Sequence, residues 1–293
     1  MTHKGRMLAT VICGALALGG TAMAEGTGTT VTDAAAGMPS TDAVFARLAE
    51  ITQRGALVQI VATEGTRHGL GLEDALFPGR GGADWKRLVG RIQAADRLHD
   101  MMAETFRTAM RPADLSAVEA FFASDLGRKV AAREVTSRRL MLDSDVEAGA
   151  MRASATLAKR DDARAALIDG LIESLDLVTA NVSGGLNANF AFYKGLGEGG
   201  ALKKRMTESE MLAMVWGQEE QIRQATRAWL RAHLTLAYAP LSDAELGDYA
   251  AFMATPEGRR YSSAMFEGFG AVFETTSYEL GRAAAEFMLR QDA

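Results

Sequence analysis

The chain has 293 residues, 48% of them hydrophobic and 24% charged, with a formal net charge of −5 and a pI near 5.5. An acidic balance offers phosphates no electrostatic footing and argues against a nucleic-acid partner. The single cysteine, Cys13, lies in an apolar N-terminal stretch, so the remainder can form no disulfide, thiolate metal site or cysteine nucleophile.

In chain order, the first segment reads as an export signal. Lys4 and Arg6 make a basic start, Met7 to Leu18 is apolar, and Ala22-Met23-Ala24 is a small-x-small cleavage site. The apolar run is shorter than the roughly 20 residues that a bilayer requires. Bulky Val11-Ile12 before Cys13 argues against a lipid anchor. Cleavage after Ala24 predicts a periplasmic protein of 269 residues with a net charge of −7, because Lys4 and Arg6 leave with residues 1–24. No later segment is apolar enough to span a membrane. Residues 25–40 are mostly Gly, Thr and Ala and read as a flexible leader.

Helix is expected from Thr41 or Asp42, either of which can cap it. Val44, Leu48, Ile51, Gly55, Val58 and Ala62 then follow one helical stripe. A Gly-rich stretch over 65–82, containing Pro78, reads as a connection. Helix resumes at Trp85, with Leu88, Ile92, Ala95, His99, Met102 and Phe106 on one face. Pro112 opens a short helix, and Ser124 caps a longer one.

The second half follows the same order. Leu167, Ile168, Leu171, Ile172, Leu175 and Val178 make one face over 162–181, and 184–200 is a second Gly-rich connection. Helix resumes at Trp216, with Ile222, Ala225, Trp229, Ala232 and Leu236 as its stripe. Ser242 and Glu245 form a capping box. Thr255 caps the last helix, Pro256 takes its first position, and Tyr261, Met265, Phe269, Val272, Phe273 and Thr276 share one face.

One block occurs twice. Ala113, Leu115, Ala120, Phe121, Ala123, Gly127 and Arg128 return 131 positions later as Ala244, Leu246, Ala251, Phe252, Ala254, Gly258 and Arg259. Chance gives about one or two identities in such a window, so a helical unit reads as duplicated. No alternating apolar run is long enough for a confident strand, and Asn189 to Tyr193 alternates only briefly. The fold expected is all-α, with tandem pseudo-repeats over 41–159 and 160–293 of about four or five helices each.

Over Leu246 to Arg259, with Tyr249, Phe252 and Thr255-Pro256-Glu257-Gly258, the chain resembles an exported bacterial family, the domain-of-unknown-function family 2059. The likeness is looser over Asp114 to Arg128, where Asp125-Leu126 replaces the Thr-Pro step. The resemblance implies a small helical periplasmic domain and no particular activity.

No catalytic or metal motif is strong. His68, Glu73 and Asp74 lie close in sequence and could form a dispersed hydrolase site, but His68, His99 and His233 lack the spacing of a zinc site. His99 and His233 lie among apolar positions, where packing accounts for them. Ser183 has no strand before it and no Gly-x-Ser-x-Gly around it. In the second Gly-rich stretch, Asn187, Asn189, Phe190, Phe192 and Tyr193 have two readings. One is a ligand pocket with two amides; the other is a loop that tucks its aromatics into the core.

Arg128, Arg133, Arg138 and Arg139 make one helix locally basic. They read either as a solvated face, with Glu134 pairing Arg138, or as a face for an anion or partner. The leading functional expectation is a non-enzymatic binding or envelope-associated module without cofactor or metal, for an envelope protein or a small apolar ligand. A hydrolase and a holdase-like chaperone are the alternatives.

Overall fold

The computed structural model describes residues 40–160, 162–202 and 206–290, and every regular element among them is an α-helix. The expected signal at 1–24 and all of the expected leader except Ser40 lie outside the described residues. The first half contains α1 (Thr41–Ile51), α2 (Arg54–Leu76), α3 (Gly82–Ile92), α4 (Ala95–Ala109), α5 (Pro112–Ala123), α6 (Asp125–Leu140) and α7 (Ser144–Lys159). The second contains α8 (Ala163–Ser174), α9 (Leu177–Glu198), α10 (Glu208–Trp216), α11 (Glu219–Tyr238), α12 (Asp243–Met253) and α13 (Pro256–Leu289). None of these helices is long and apolar enough to cross a membrane.

Several helix boundaries differ from the sequence reading, each for a local reason. Ser40, not Thr41 or Asp42, caps α1, its hydroxyl accepting from Ala43 N at 3.2 Å. The stripe from Val44 to Ala62 is two helices, because Gln53 turns left-handed at φ 52°. Asp176 does the same at φ 48° and divides α8 from α9. The stripe from Leu88 to Phe106 is likewise broken between α3 and α4. Trp216 ends α10 instead of starting a helix, and it is 55% exposed.

The largest difference concerns the two Gly-rich stretches, which are mostly helical: 65–76 belongs to α2 and 184–198 to α9. Glycine weakens a helix by about 1 kcal/mol relative to alanine. Here tertiary contact outweighs propensity, because several of these glycines sit where another segment crosses closely. A Cβ on Gly69 would lie 2.8 Å from Val89, and one on Gly195 only 2.2 Å from the Tyr278 carbonyl.

α13 is the spine of the fold and packs along α9 and against α4, α5, α2 and α3. α11 is a second centre, against α6, α7, α9 and α8. One apolar cluster draws on both halves, from Val44 and Phe106 to Tyr249 and Phe273. The expected units at 41–159 and 160–293 therefore share a core. A smaller cluster gathers Phe77, Trp85, Phe192 and Phe287. The rings of Phe77, Trp85 and Phe287 are in contact, with Phe77 and Trp85 centroids 4.9 Å apart, and Trp85 Nε1 donates to Gly69 O at 2.9 Å. That hydrogen bond satisfies the one polar group the indole takes into the core.

The two similar blocks use the same cap. Ser124 Oγ accepts from Gly127 N at 3.0 Å, and Thr255 Oγ1 accepts from Gly258 N at 3.1 Å. Both glycines are obligatory, since a Cβ would meet the Phe121 carbonyl at 2.1 Å or the Phe252 carbonyl at 2.4 Å. Phe121 and Phe252 stack on each other, with centroids 3.7 Å apart and an interplanar angle of 1°. Both are partly buried at the edge of the large cluster.

Candidate functional site

α9 and α13 run side by side in the same direction. Gly195 meets the backbone of α13 from Tyr278 to Arg282, and Gly199 meets Ala285. Gly195-x-x-x-Gly199 thus faces Gly281-x-x-x-Ala285, and small residues let the backbones approach. Beside this contact lies a groove of about 610 Å³. Asn187, Phe190, Ala191, Lys194 and Glu198 line one wall, at the spacing of a single helix face. Glu274, Thr275 and Tyr278 of α13 line the other.

The groove offers aromatic rings together with charges of both signs. The Tyr278 hydroxyl donates to Glu198, and this bond, with burial second, holds the phenol above its usual range. Lys194 and Glu274 have no ionic partner among the described residues. Such a lining can seat an apolar body and orient an attached polar group.

Of the five residues read either as a pocket or as aromatics tucked into the core, Asn187 and Phe190 line the groove. Phe192 instead is buried in the smaller cluster, and Tyr193 packs against both clusters, edge-to-face with Phe192 at 6.0 Å. Asn189 is half-buried off the groove. The reason is helical geometry: neighbouring residues on a helix point about 100° apart, so five clustered residues cannot share one face. The spacing of Asn187, Phe190, Ala191, Lys194 and Glu198 could have been found had the glycines not suggested a loop. Nothing in the sequence pairs that stripe with α13.

His68, Glu73 and Asp74 face different surroundings. All three lie on α2, and the Glu73 carboxylate accepts from Gly81 N at 2.9 Å and Gly82 N at 3.0 Å, at the start of α3. Asp74 points to solvent, while His68 is half-buried and its pKa is lowered by burial. Among the described residues, no group of three His, Cys, Asp or Glu side chains could hold a metal ion.

The basic helix also departs from expectation. Arg128, Arg133 and Arg139 are exposed, but Arg138 turns inward. Its guanidinium grips Glu64 through two bonds of 2.6 and 2.5 Å and lies 4.9 Å over the Trp229 ring. The four arginines therefore do not make one face, and Arg138 is not paired with Glu134. Glu134 instead accepts from the buried tyrosines Tyr238, at 2.5 Å, and Tyr249, at 3.0 Å. His233 stacks on Trp229 at 4.9 Å, with Nδ1 3.2 Å from Ser137 Oγ. Both Glu134 and His233 belong to a polar seam where α6 meets α11.

This seam has a pH signature. Burial pushes the Glu134 carboxyl up to about 7, against the two tyrosine bonds that draw it down. A carboxyl raised on folding stabilises the fold below its ordinary value near 4.5, and that contribution is lost as pH rises through about 7. His233 acts in the opposite sense. Burial, then Arg138, lowers it to about 3, so its contribution is present above its ordinary 6.5 and lost as pH falls towards 3. Glu134→Gln should leave the His233 behaviour and remove the alkaline loss. Its melting temperature relative to the parent protein should therefore be higher at pH 8 than at pH 5. A difference that does not change with pH would contradict this assignment.

The fold and groove define an all-α protein with a surface groove between two parallel helices. Residues 96–156, from α4 through most of α7, match the family model described as "Uncharacterized protein conserved in bacteria (DUF2059)". The match covers the first of the two similar blocks, not the 246–259 stretch that carries the clearer motif. No curated protein and no solved structure matches the chain.

Proposed function

We propose that the protein is a non-enzymatic periplasmic binding module, built from two diverged copies of one helical unit, and that a small amphipathic ligand lies in the α9–α13 groove. The groove is the observation that carries this reading, because it joins Phe190 and Tyr278 to an unpaired ammonium and carboxylate. The periplasmic location rests on the export-type segment at 1–24. The doubling is supported by matched features in the two halves: a left-handed residue before α2 and before α9, and a Ser or Thr cap over a glycine in each block.

The test uses the dye 1-anilinonaphthalene-8-sulfonate, an aromatic ring system with an anionic group. The folded protein should bind one dye saturably. Lys194→Glu should abolish or greatly weaken binding without lowering the melting temperature, and Phe190→Asp should weaken it too, at a cost in stability because Phe190 packs against the large cluster. Binding that survives both substitutions, or no saturable binding, would remove the groove as the site.

A further inference from the structure

Arg54 is a cation in a place that packing reserves for an apolar side chain. It is the first residue of α2, directly after left-handed Gln53, and is only 5% exposed. At the matching place in the second half, directly after left-handed Asp176, stands Leu177, which is fully buried. The Arg54 guanidinium lies 4.8 Å over the Phe106 ring, and the Phe45 ring is 6.0 Å from Phe106.

No carboxylate answers this charge among the described residues, and Nε has no hydrogen-bond partner. The nearby acids Asp42 and Glu104 are engaged by Arg107, at 3.6 and 3.3 Å, and Arg107 lies 5.6 Å over Phe45. Desolvation is the largest force against the Arg54 charge, Tyr261 partly offsets it, and Arg107 adds repulsion. A buried charge is costly unless paired, and stacking on one ring offsets only part of that cost. The residue keeps 5% of its surface exposed, and of its three guanidinium nitrogens only Nε is both fully enclosed and without a partner.

We infer that Arg54 is the receptor for one oxyanion group of a small ligand, a carboxylate or a phosphate, at the junction of α1, α2 and α4. The planar guanidinium presents parallel N–H donors that match either group, and Arg107 supplies a second positive charge nearby. This site shares no residue with the α9–α13 groove and stands whether or not the groove binds a ligand.

The experiment follows the side-chain Nε–Hε resonance of Arg54 by NMR in the whole protein, titrated with inorganic phosphate and with acetate at constant ionic strength. At least one anion should shift the resonance along a saturating curve, while exposed Arg139 drifts linearly. Arg54→Met, which restores the apolar character of the matching leucine site, should fold. It should weaken the anion Kd, read from neighbouring amides, by about tenfold or more. A resonance that drifts like that of Arg139 with both anions, or saturable binding unchanged in Arg54→Met, overturns the proposal. Co-sedimentation with phosphatidylglycerol vesicles separates the sources. Sedimentation lost in Arg54→Met identifies a lipid headgroup, and saturable anion binding without sedimentation identifies a free anion.

Discussion

Arg138→Glu should cost about 3–5 kcal/mol of stability, whereas Arg133→Glu on the same helix should leave the melting temperature nearly unchanged. The contrast rests on burial. The Arg138 side chain is 7% exposed and that of its partner Glu64 is 20% exposed. Removing one member of an enclosed pair leaves the other charge desolvated without compensation. Reversal adds repulsion against Glu64 and takes the cation from the Trp229 face. Arg133 is exposed and has no such contacts among the described residues. Urea unfolding of the two variants measures the difference. A further arm isolates the pair itself: Glu64→Leu with Arg138→Met should recover much of the loss, because replacing both charges by apolar groups removes the desolvation cost. Equal and small effects at 133 and 138 would show that the ion pair does not hold in solution.

Gly281→Ala should destabilise by about 3 kcal/mol or more, the opposite of what helix propensity alone requires. In an open helical position, glycine to alanine stabilises by roughly 0.5–1 kcal/mol. At Gly281 the added Cβ would lie 2.1 Å from the Phe192 carbonyl oxygen and 3.1 Å from Leu196 N. Both obstacles are backbone atoms of α9 and cannot rotate away, so α9 and α13 must separate and give up packing along their shared length. The steric term therefore outweighs the propensity term. Gly170→Ala provides the control, since a Cβ there meets nothing within 4 Å and the residue is exposed. It should gain the propensity increment. The same sign of change at 170 and 281 would contradict the close approach of the two helices.

Glycine marks where the sequence reading of the fold succeeded and where it failed. The caps at Ser124 and Thr255, and the recurrence of Gly127 and Gly258 three residues after them, are legible because the constraint is local: the cap, the glycine and the obstructing carbonyl lie within seven residues. Gly195 and Gly199 look like loop residues in the sequence because the atoms that require them lie on α13, about eighty positions away. The same misreading scattered the candidate site. With α9 taken as a loop, five neighbouring residues appeared able to converge, and on a helix only Asn187 and Phe190 reach the groove.

The basic helix repeats the lesson for charge. Glu134 and Arg138 are four residues apart and well placed to pair on an isolated helix. Their partners in the fold are Tyr238, 104 positions away, and Glu64, 74 positions away. Pattern alone contains no information about which distant element covers a given face.

The all-α class, the capping box at Ser242, the Ser124 and Thr255 caps and the buried face from Tyr261 to Thr276 all follow from residues within a few positions of one another. Hydrogen bonding along a helix and amphipathic spacing act at that range, so the chain carries them openly. The sharing of one core by both halves, the inward turn of Arg138, the isolation of Arg54 and the α9–α13 groove arise only when distant helices meet. They depend on close packing and desolvation, which are properties of the assembled interior and not of any local stretch.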